Sequence, residues 1–123
     1  MLTLKQDHSE LVVLSVLAIG PSYGYAISKE IAARSEGHFK LSPSGMYPLL
    51  TKLEKQGLVT TSWEEIKSRS SNPDASGRKR KWYTMSPKGS KRLTQHIENQ
   101  QRVLKILNGF VPASLRESGL KLA

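Results

Sequence analysis

Glycine and proline residues divide the first half of this chain into three short helical segments. The first, an apolar run over residues 11–19, stops at Gly20-Pro21. The second begins near residue 22 or 23 and ends before Gly37. The third begins at Ser42-Pro43-Ser44, because a serine followed by proline is typical of a helix start, and it ends before Gly57. The sequence therefore predicts three consecutive short helices.

The third segment has apolar residues on one side only. At 100° per residue, Met46, Leu49, Leu50 and Leu53 all fall within about 50° of one direction. Pro48 removes one backbone hydrogen bond, but it stands close enough to the N-terminus for the helix to continue through it. The pattern predicts a helix with one face in a core and the other open to a partner. The open side and its flanks carry Ser44, Tyr47, Pro48, Thr51, Lys52 and Lys55.

Two β-strands are predicted after the third helix. They cover residues 59–65 and 79–85, and a serine-rich segment over residues 68–77 joins them. This loop is long for a hairpin, so we expect its tip to be mobile. Trp63 and Trp82 are predicted to pack against each other as cross-strand neighbours.

A long helix is predicted at the end of the chain. It begins at Ser86-Pro87, extends to about Asn108 and carries a stripe of apolar residues. Three helices, two strands and a long helix match a winged helix-turn-helix with an added helix, so the fold class is mainly α with a small β-hairpin. We assign residues 1–86 to the winged-helix DNA-binding domain and residues 87–123 to a C-terminal dimerisation helix and tail.

The positive charge of the chain is concentrated in one segment. The net charge is +9, and residues 67–92 contain nine basic residues and one acid, a net charge of +8. This segment includes the run Arg78-Lys79-Arg80-Lys81. Such a concentration is typical of a surface that meets the phosphate backbone of nucleic acid, whereas solubility alone needs no run of this kind. The second strand is therefore predicted to contact nucleic acid.

Several classes of function are excluded by what the sequence lacks. The absence of cysteine excludes a disulfide framework, a thiol nucleophile and a cysteine-ligated metal. The three histidines have no acid at ligand spacing, so we predict neither a metal nor a cofactor. No nucleophile elbow or phosphate-binding glycine loop is present, which predicts that the protein is not an enzyme. The apolar run at residues 11–19 is too short to cross a bilayer and no secretory signal precedes it, which predicts a cytoplasmic protein without a membrane partner.

Three groups of residues, in this order and spacing, resemble the PadR family of transcriptional regulators. They cover the start of that family's second helix, its DNA-reading helix and its wing strand, over roughly residues 9 to 93. The resemblance implies a winged-helix dimer that represses transcription. The matching residues are Gly20-Pro21 with Gly24-Tyr25-Ala26-Ile27; Leu41-Ser42, Gly45-Met46-Tyr47-Pro48-Leu49-Leu50 and Leu53-Glu54-Lys55-Gln56-Gly57-Leu58; and Lys81-Trp82-Tyr83, Met85-Ser86 and Gly89.

The residue pattern and the resemblance together predict two binding surfaces. Ser42 and Ser44 are expected to cap the third helix as well as to face a phosphate. Contact with double-stranded DNA is predicted for Tyr25, Ser42, Ser44, Gly45, Tyr47, Pro48, Thr51, Lys52, Lys55, Arg78, Lys79, Arg80 and Lys81. Dimerisation with a second copy of the chain is predicted for Leu11, Leu14, Leu93, Ile97, Val103, Leu104 and Leu107.

The predicted function is a dimeric, sequence-specific transcriptional regulator on an inverted-repeat operator, with repression implied by the resemblance alone. Two alternatives stay open. A non-specific nucleic-acid binder with the same basic strand would show little preference among duplexes. A winged helix that binds an acidic protein would show no DNA affinity at moderate salt. A small-molecule effector also stays open as a partner. The last helix lacks the tryptophan that stacks on aromatic ligands in some members of the family, which argues against a flat aromatic effector.

Overall fold

The computed structural model describes residues 6–66 and 78–115 of the 123-residue chain. The chain divides into two compact units, Met1–Leu93 and Thr94–Ala123, so the start of the last helix belongs with the first unit. The predicted mobile loop tip lies outside the described residues. The elements in chain order are α1 (Gln6–Leu17), β1 (Ser22–Tyr23), α2 (Gly24–Arg34), α3 (Pro43–Lys55), β2 (Val59–Ile66), β3 (Arg78–Met85) and α4 (Pro87–Phe110).

The three short helices pack around one apolar core in the first unit. Helix α3 contributes its whole apolar face, and β2, β3 and the start of α4 close the other sides. The predicted fold class, a mainly helical winged helix with a small β-sheet, is confirmed. The buried apolar residues are Val13, Leu14, Val16, Leu17, Ile27, Ile31, Met46, Leu49, Leu50, Leu53, Leu58, Val59, Tyr83 and Leu93.

A third strand completes the sheet, which has the antiparallel order β1-β3-β2. In β1, Ser22 pairs with Tyr83 and Tyr23 pairs with Trp82. The prediction that a helix begins at residue 22 or 23 is therefore wrong, because these residues are extended and α2 begins at Gly24. A two-residue strand has no pattern of its own, and its partner lies far along the chain.

The register of the hairpin separates the two tryptophans. Residue Val59 pairs with Met85 and Ile66 with Arg78, which places Trp63 opposite Lys81. Because neighbouring residues in a strand point to opposite faces, Trp63 and Trp82 lie on different faces of the sheet. The predicted cross-strand contact between them is wrong, and Trp82 instead packs edge-on against Tyr23 with the ring centroids 5.1 Å apart.

Helix α3 continues through Pro48 as predicted. Its end is also the predicted one, since Gly57 has a φ of 75°. This left-handed backbone conformation favours glycine after the end of a helix.

The second unit contains the remainder of α4. Beyond Leu93, this helix carries apolar side chains that are between 42% and 83% exposed: Ile97, Val103, Leu104, Ile106, Leu107 and Phe110. Within the described ranges, no helix combines the length and the apolar character needed to cross a membrane.

Candidate nucleic-acid interface

Helix α3 presents a continuous polar surface on the side away from the core. This surface is exposed because the helical period places every apolar residue of α3 on the opposite side. The predicted contact residues on α3 and at its start are all exposed: Ser42, Ser44, Gly45, Tyr47, Pro48, Thr51, Lys52 and Lys55. We refer to α3 below as the reading helix.

The first turn of the reading helix lacks the predicted side-chain caps. Ser42 stands at the N-cap position, but no side chain bonds a backbone amide there. Its hydroxyl instead shares a 3.0 Å hydrogen bond with the hydroxyl of Ser44. The prediction that these serines cap the helix is therefore wrong, because the two hydroxyls bond each other. Both remain exposed beside the amides of the first turn, the part of a helix that favours negative charge.

Tyr47, a residue of the reading helix, packs its side chain against the start of α2. Its ring is 48% exposed and contacts the backbone of Gly24, where an added Cβ atom would lie 2.6 Å from the Tyr47 hydroxyl oxygen. Tyr25, the next residue, is 65% exposed and has the Lys29 ammonium 5.3 Å from its ring centroid. Gly24 belongs to this site because only a residue without a side chain leaves room for the tyrosine. The spacing of the sequence carries no signal for that contact.

The basic residues of β3 have different surroundings although they are consecutive. The Lys79 side chain is exposed and bonds to no residue in the described part of the chain. The Arg80 guanidinium stacks 4.1 Å from the centroid of the Tyr23 ring. Lys81 forms an ion pair with Glu54, with 3.0 Å between Nζ and Oε1. For Arg78 only the backbone, which belongs to β3, is described.

Glu54 joins the reading helix to both strands of the wing, the hairpin of β2 and β3. One of its carboxylate oxygens accepts a 2.8 Å hydrogen bond from the Thr61 hydroxyl, and the other accepts one from Lys81. The Thr61 bond first, and then the Lys81 bond, lower the pKa of this carboxyl below its ordinary value of 4.5. Glu54 matched the family pattern, but nothing in the sequence indicated its two partners.

The start of α2, the reading helix and the wing meet around an open cleft of about 440 Å³. Five predicted contact residues line this cleft, namely Tyr25, Tyr47, Lys79, Arg80 and Lys81. Tyr83 lines it as well, and burial raises the pKa of its hydroxyl, so the ring stays neutral at physiological pH. The cleft therefore combines tyrosine rings with cationic groups, a composition suited to a phosphodiester strand.

The predicted dimerisation residues fall into two groups. Ile97, Val103, Leu104 and Leu107 are exposed on α4, and Leu11 is half buried on α1. Leu93 is buried in the core of the first unit. Leu14 is wholly buried in the core of the chain itself, so we remove it from the dimer surface. The other members of the stripe stay predictions.

No metal centre occurs in the part of the chain that the structure describes. In residues 6–66 and 78–115, no three histidine or acidic side chains lie close enough together to hold an ion.

A winged helix with an exposed reading helix and a basic wing has the architecture of a DNA-binding regulator. The chain belongs to the transcriptional regulator PadR-like family, whose model matches residues 13–95. This is a family of transcriptional regulators and not of enzymes. A transcriptional regulator from Clostridium thermocellum has a similar structure, with a TM-score of 0.72 and 26% identity over 87% of this chain and 96% of that chain.

Two further proteins are similar to this chain over part of its length. The transcriptional regulator YqjI of Escherichia coli (strain K12) is 38% identical over 60 residues, which span 47% of this chain and 29% of that protein. PadR of Bacillus subtilis, solved in complex with operator DNA, has a TM-score of 0.60 and 22% identity over 72% of this chain and 46% of that chain. At that identity the likeness concerns the fold alone.

Proposed function

We propose that this protein is a sequence-specific DNA-binding repressor that binds an inverted-repeat operator as a homodimer in the cytoplasm. One observation carries the proposal. Tyr47, on the exposed face of the reading helix, lines one cleft together with the basic side chains of Lys79, Arg80 and Lys81 on the wing. The solved complex of Bacillus subtilis PadR with operator DNA supports this use of the fold.

The reading helix enters the major groove in this proposal. Thr51 and Tyr47 are exposed side chains that reach base edges, while Lys52 and Lys55 reach phosphates. The Thr51 hydroxyl donates a 2.9 Å hydrogen bond to the Tyr47 carbonyl, so it is oriented along the helix and keeps its lone pairs for a base donor.

The wing follows the DNA backbone next to that groove. Of the three basic residues of β3 whose side chains are described, Lys79 is the one that bonds to no described residue, so it makes the direct phosphate contact. Arg80 and Lys81 are held by Tyr23 and Glu54 and contribute mainly by keeping the wing beside the cleft. The exposed Trp63 ring, on the same face as Lys81, packs against deoxyribose.

A dimer would bury the apolar stripe of α4. Leu104 and Leu107 are about half exposed and Phe110 is 83% exposed, and an apolar surface of this extent favours a partner. On the first unit, Leu11 and Phe39 line an open apolar cavity of about 330 Å³ that a second copy would also cover. Twofold symmetry then places two reading helices about 34 Å apart, one turn of DNA, so the operator is an inverted repeat.

The proposal is tested by selection of bound duplexes from a random pool, followed by affinity measurement on the selected duplex and a scrambled control. We expect an inverted repeat and a strong preference for it. If each subunit neutralises about four phosphates, the slope of log K against log salt is about −7. Equal affinity for both duplexes supports the non-specific binder instead, and no affinity at moderate salt supports the protein-interaction module.

The dimer is tested by Leu104→Glu. In a symmetric interface this change adds two charges to buried surface, so we expect monomers and loss of operator binding. Gln95→Glu is the matched control, because it adds the same charge to an exposed position on the opposite side of the same helix. Sedimentation of the unmodified protein at micromolar concentration gives the reference. A stable folded monomer of 13.7 kDa there contradicts both the dimer and the inverted repeat.

A further inference from the structure

The end of the reading helix is bound to the start of α4 through three consecutive carbonyl groups. The Gln56 carbonyl accepts a 2.9 Å hydrogen bond from the Lys88 ammonium. The Gly57 carbonyl accepts a 2.6 Å bond from the Ser86 hydroxyl. The Leu58 carbonyl accepts a 3.0 Å bond from the Ser86 backbone N–H. These three carbonyls follow the last residue of α3, and all three donors come from Ser86, which lies between β3 and α4, and from Lys88 in the first turn of α4.

The same contact is packed as closely as backbones allow. A methyl group at Gly89 would collide with the Leu58 carbonyl oxygen and with the Met85 side chain. The Ser86 hydroxyl has a second role, because it accepts a 3.0 Å hydrogen bond from the Gly89 N–H and so caps α4. One hydroxyl therefore bonds both the segment that follows α3 and the first turn of α4. We call this set of contacts, made by Ser86, Lys88 and Gly89, the helix joint.

The helix joint connects two helices that have different roles in the proposed function. The reading helix carries the DNA-contact face, and α4 continues without a break to Phe110 through the proposed dimer stripe. Two reading helices in a dimer must be held at one separation to fit two half-sites. Contacts that fix each reading helix to α4 contribute to that separation, because α4 continues into the proposed dimer stripe.

We propose that Ser86 and Lys88 are positioning residues that fix the reading helix to α4 and thereby set the half-site spacing that the dimer accepts. This proposal rests on the proposed function and goes beyond it, because it gives these residues a role other than DNA contact. A loosened joint should leave each reading helix able to bind its half-site while the dimer tolerates a wrong spacing.

The test compares three duplexes. The first is the two-half-site duplex selected with the unmodified protein, the second has one base pair inserted between the half-sites, and the third contains one half-site. The variants are Ser86→Ala, which removes the donor to Gly57, and Lys88→Met, which removes the donor to Gln56. We expect each variant to reduce the preference for the first duplex over the second, by roughly three- to tenfold for Ser86→Ala and less for the exposed Lys88. Affinity for the single half-site should stay within about twofold of the unmodified protein.

Two controls separate the joint from charge and from folding. Lys91→Met removes the same charge from the same helix at an exposed residue that bonds to nothing in the described ranges, and it should keep the original preference. Ser86→Thr keeps the hydroxyl and should therefore keep the original preference for the first duplex as well. Thermal denaturation identifies a variant that does not fold, and Lys88→Met decides the matter if Ser86→Ala is such a variant, because Lys88 is exposed.

Two results overturn the proposal. One is an unchanged spacing preference in folded Lys88→Met and Ser86→Ala. The other is a parallel loss of affinity for the single half-site, which would make the joint a support of one winged helix only. Failure of the proposed function gives a different result, because the unmodified protein would then not distinguish the selected duplex from a scrambled one.

Discussion

The reading helix and β3 both contribute predicted contact residues to the same cleft, Tyr47 from the helix and three basic residues from the strand. Only in the helix does the spacing of apolar residues in the sequence determine which side chains are exposed. In α3, the four residues predicted to face the core are buried and the residues on the other side are exposed. In β3, three consecutive basic residues have three different environments, set by Tyr23 in β1 and Glu54 in α3. In a helix, the spacing of apolar residues predicts which side chains are exposed. In a strand, whether a basic side chain is free to bind a partner depends on contacts with other elements.

The largest effect is expected from removing the whole basic run of β3. Replacement of Arg78, Lys79, Arg80 and Lys81 by alanine should weaken binding to every duplex alike, by about a hundredfold at near-physiological salt. The slope of log K against log salt should become shallower by roughly one unit for each phosphate that the wing no longer neutralises. Because Lys81 is already paired with Glu54, we expect a change smaller than four units. An unchanged slope would show that the wing is not on the DNA.

The next largest effect is expected from the reading helix, through Tyr47→Ala. The ring is half exposed beside the cleft, so its removal should cost about 1–3 kcal/mol of binding to the selected duplex while the fold stays intact. Unlike the wing change, it should affect the selected duplex more than a scrambled one. Circular dichroism and thermal denaturation check the fold. An unfolded Tyr47→Ala protein would mean that the ring belongs to the core.

Gly24→Ala provides the control for that interpretation. The added methyl group would lie 2.6 Å from the Tyr47 hydroxyl, so it should displace the ring and weaken DNA binding. In a protein that already carries Tyr47→Ala, the same change should have little further effect, because nothing is left to displace. Additive effects in the double variant would contradict a role of Gly24 in placing Tyr47.

The sequence predicted elements with strong local signals and missed those that depend on contacts between distant residues. Helix α3 and its end at Gly57 follow from periodicity and glycine geometry. Strand β1 was missed because two residues have no periodicity, and Trp63 was misplaced because the register depends on the hairpin as a whole. A shift of one residue in register moves a side chain to the other face of the sheet.

The candidate site shows the same division. The exposed face of α3 was predictable residue by residue, and so was the basic character of β3. The contacts of Tyr47 with Gly24 and of Glu54 with Lys81 join residues that are far apart in the chain, and the Glu54–Thr61 bond joins two different elements. Ser42 shows that a residue type alone does not decide a role, since its hydroxyl bonds Ser44 rather than the helix.

A smaller effect should separate two neighbours within the basic run. Lys79→Ala removes a cation that bonds to no described residue, so it should weaken binding by about fivefold and make the salt slope shallower by about one unit. Lys81→Ala removes a cation that Glu54 already neutralises, and the freed Glu54 carboxylate then repels phosphate. We therefore expect Lys81→Ala to weaken binding with a slope change below that of Lys79→Ala. Titrations at several salt concentrations measure both, and equal slope changes would mean that the ion pair opens on the DNA.

The smallest effect is expected from the carboxyl group that ties the reading helix to the wing. Glu54 has a lowered pKa in the folded protein, because it accepts hydrogen bonds from Thr61 and Lys81. A carboxyl group with a lowered folded pKa contributes stability above its unfolded pKa, and that stability is lost as the pH falls through the folded pKa. The free energy of unfolding should therefore fall more steeply below about pH 4.5 in the unmodified protein than in Glu54→Gln.

Urea denaturation at a series of pH values measures the free energy of unfolding of the unmodified protein and of Glu54→Gln. Taking the difference between the two cancels the contribution of the other carboxyl groups. Thr61→Val and Lys81→Met should each reduce this difference, because each removes a hydrogen bond that lowers the pKa of Glu54. If the free energies of unfolding of the two proteins change in parallel with pH through the acid range, Glu54 does not hold the wing to the reading helix.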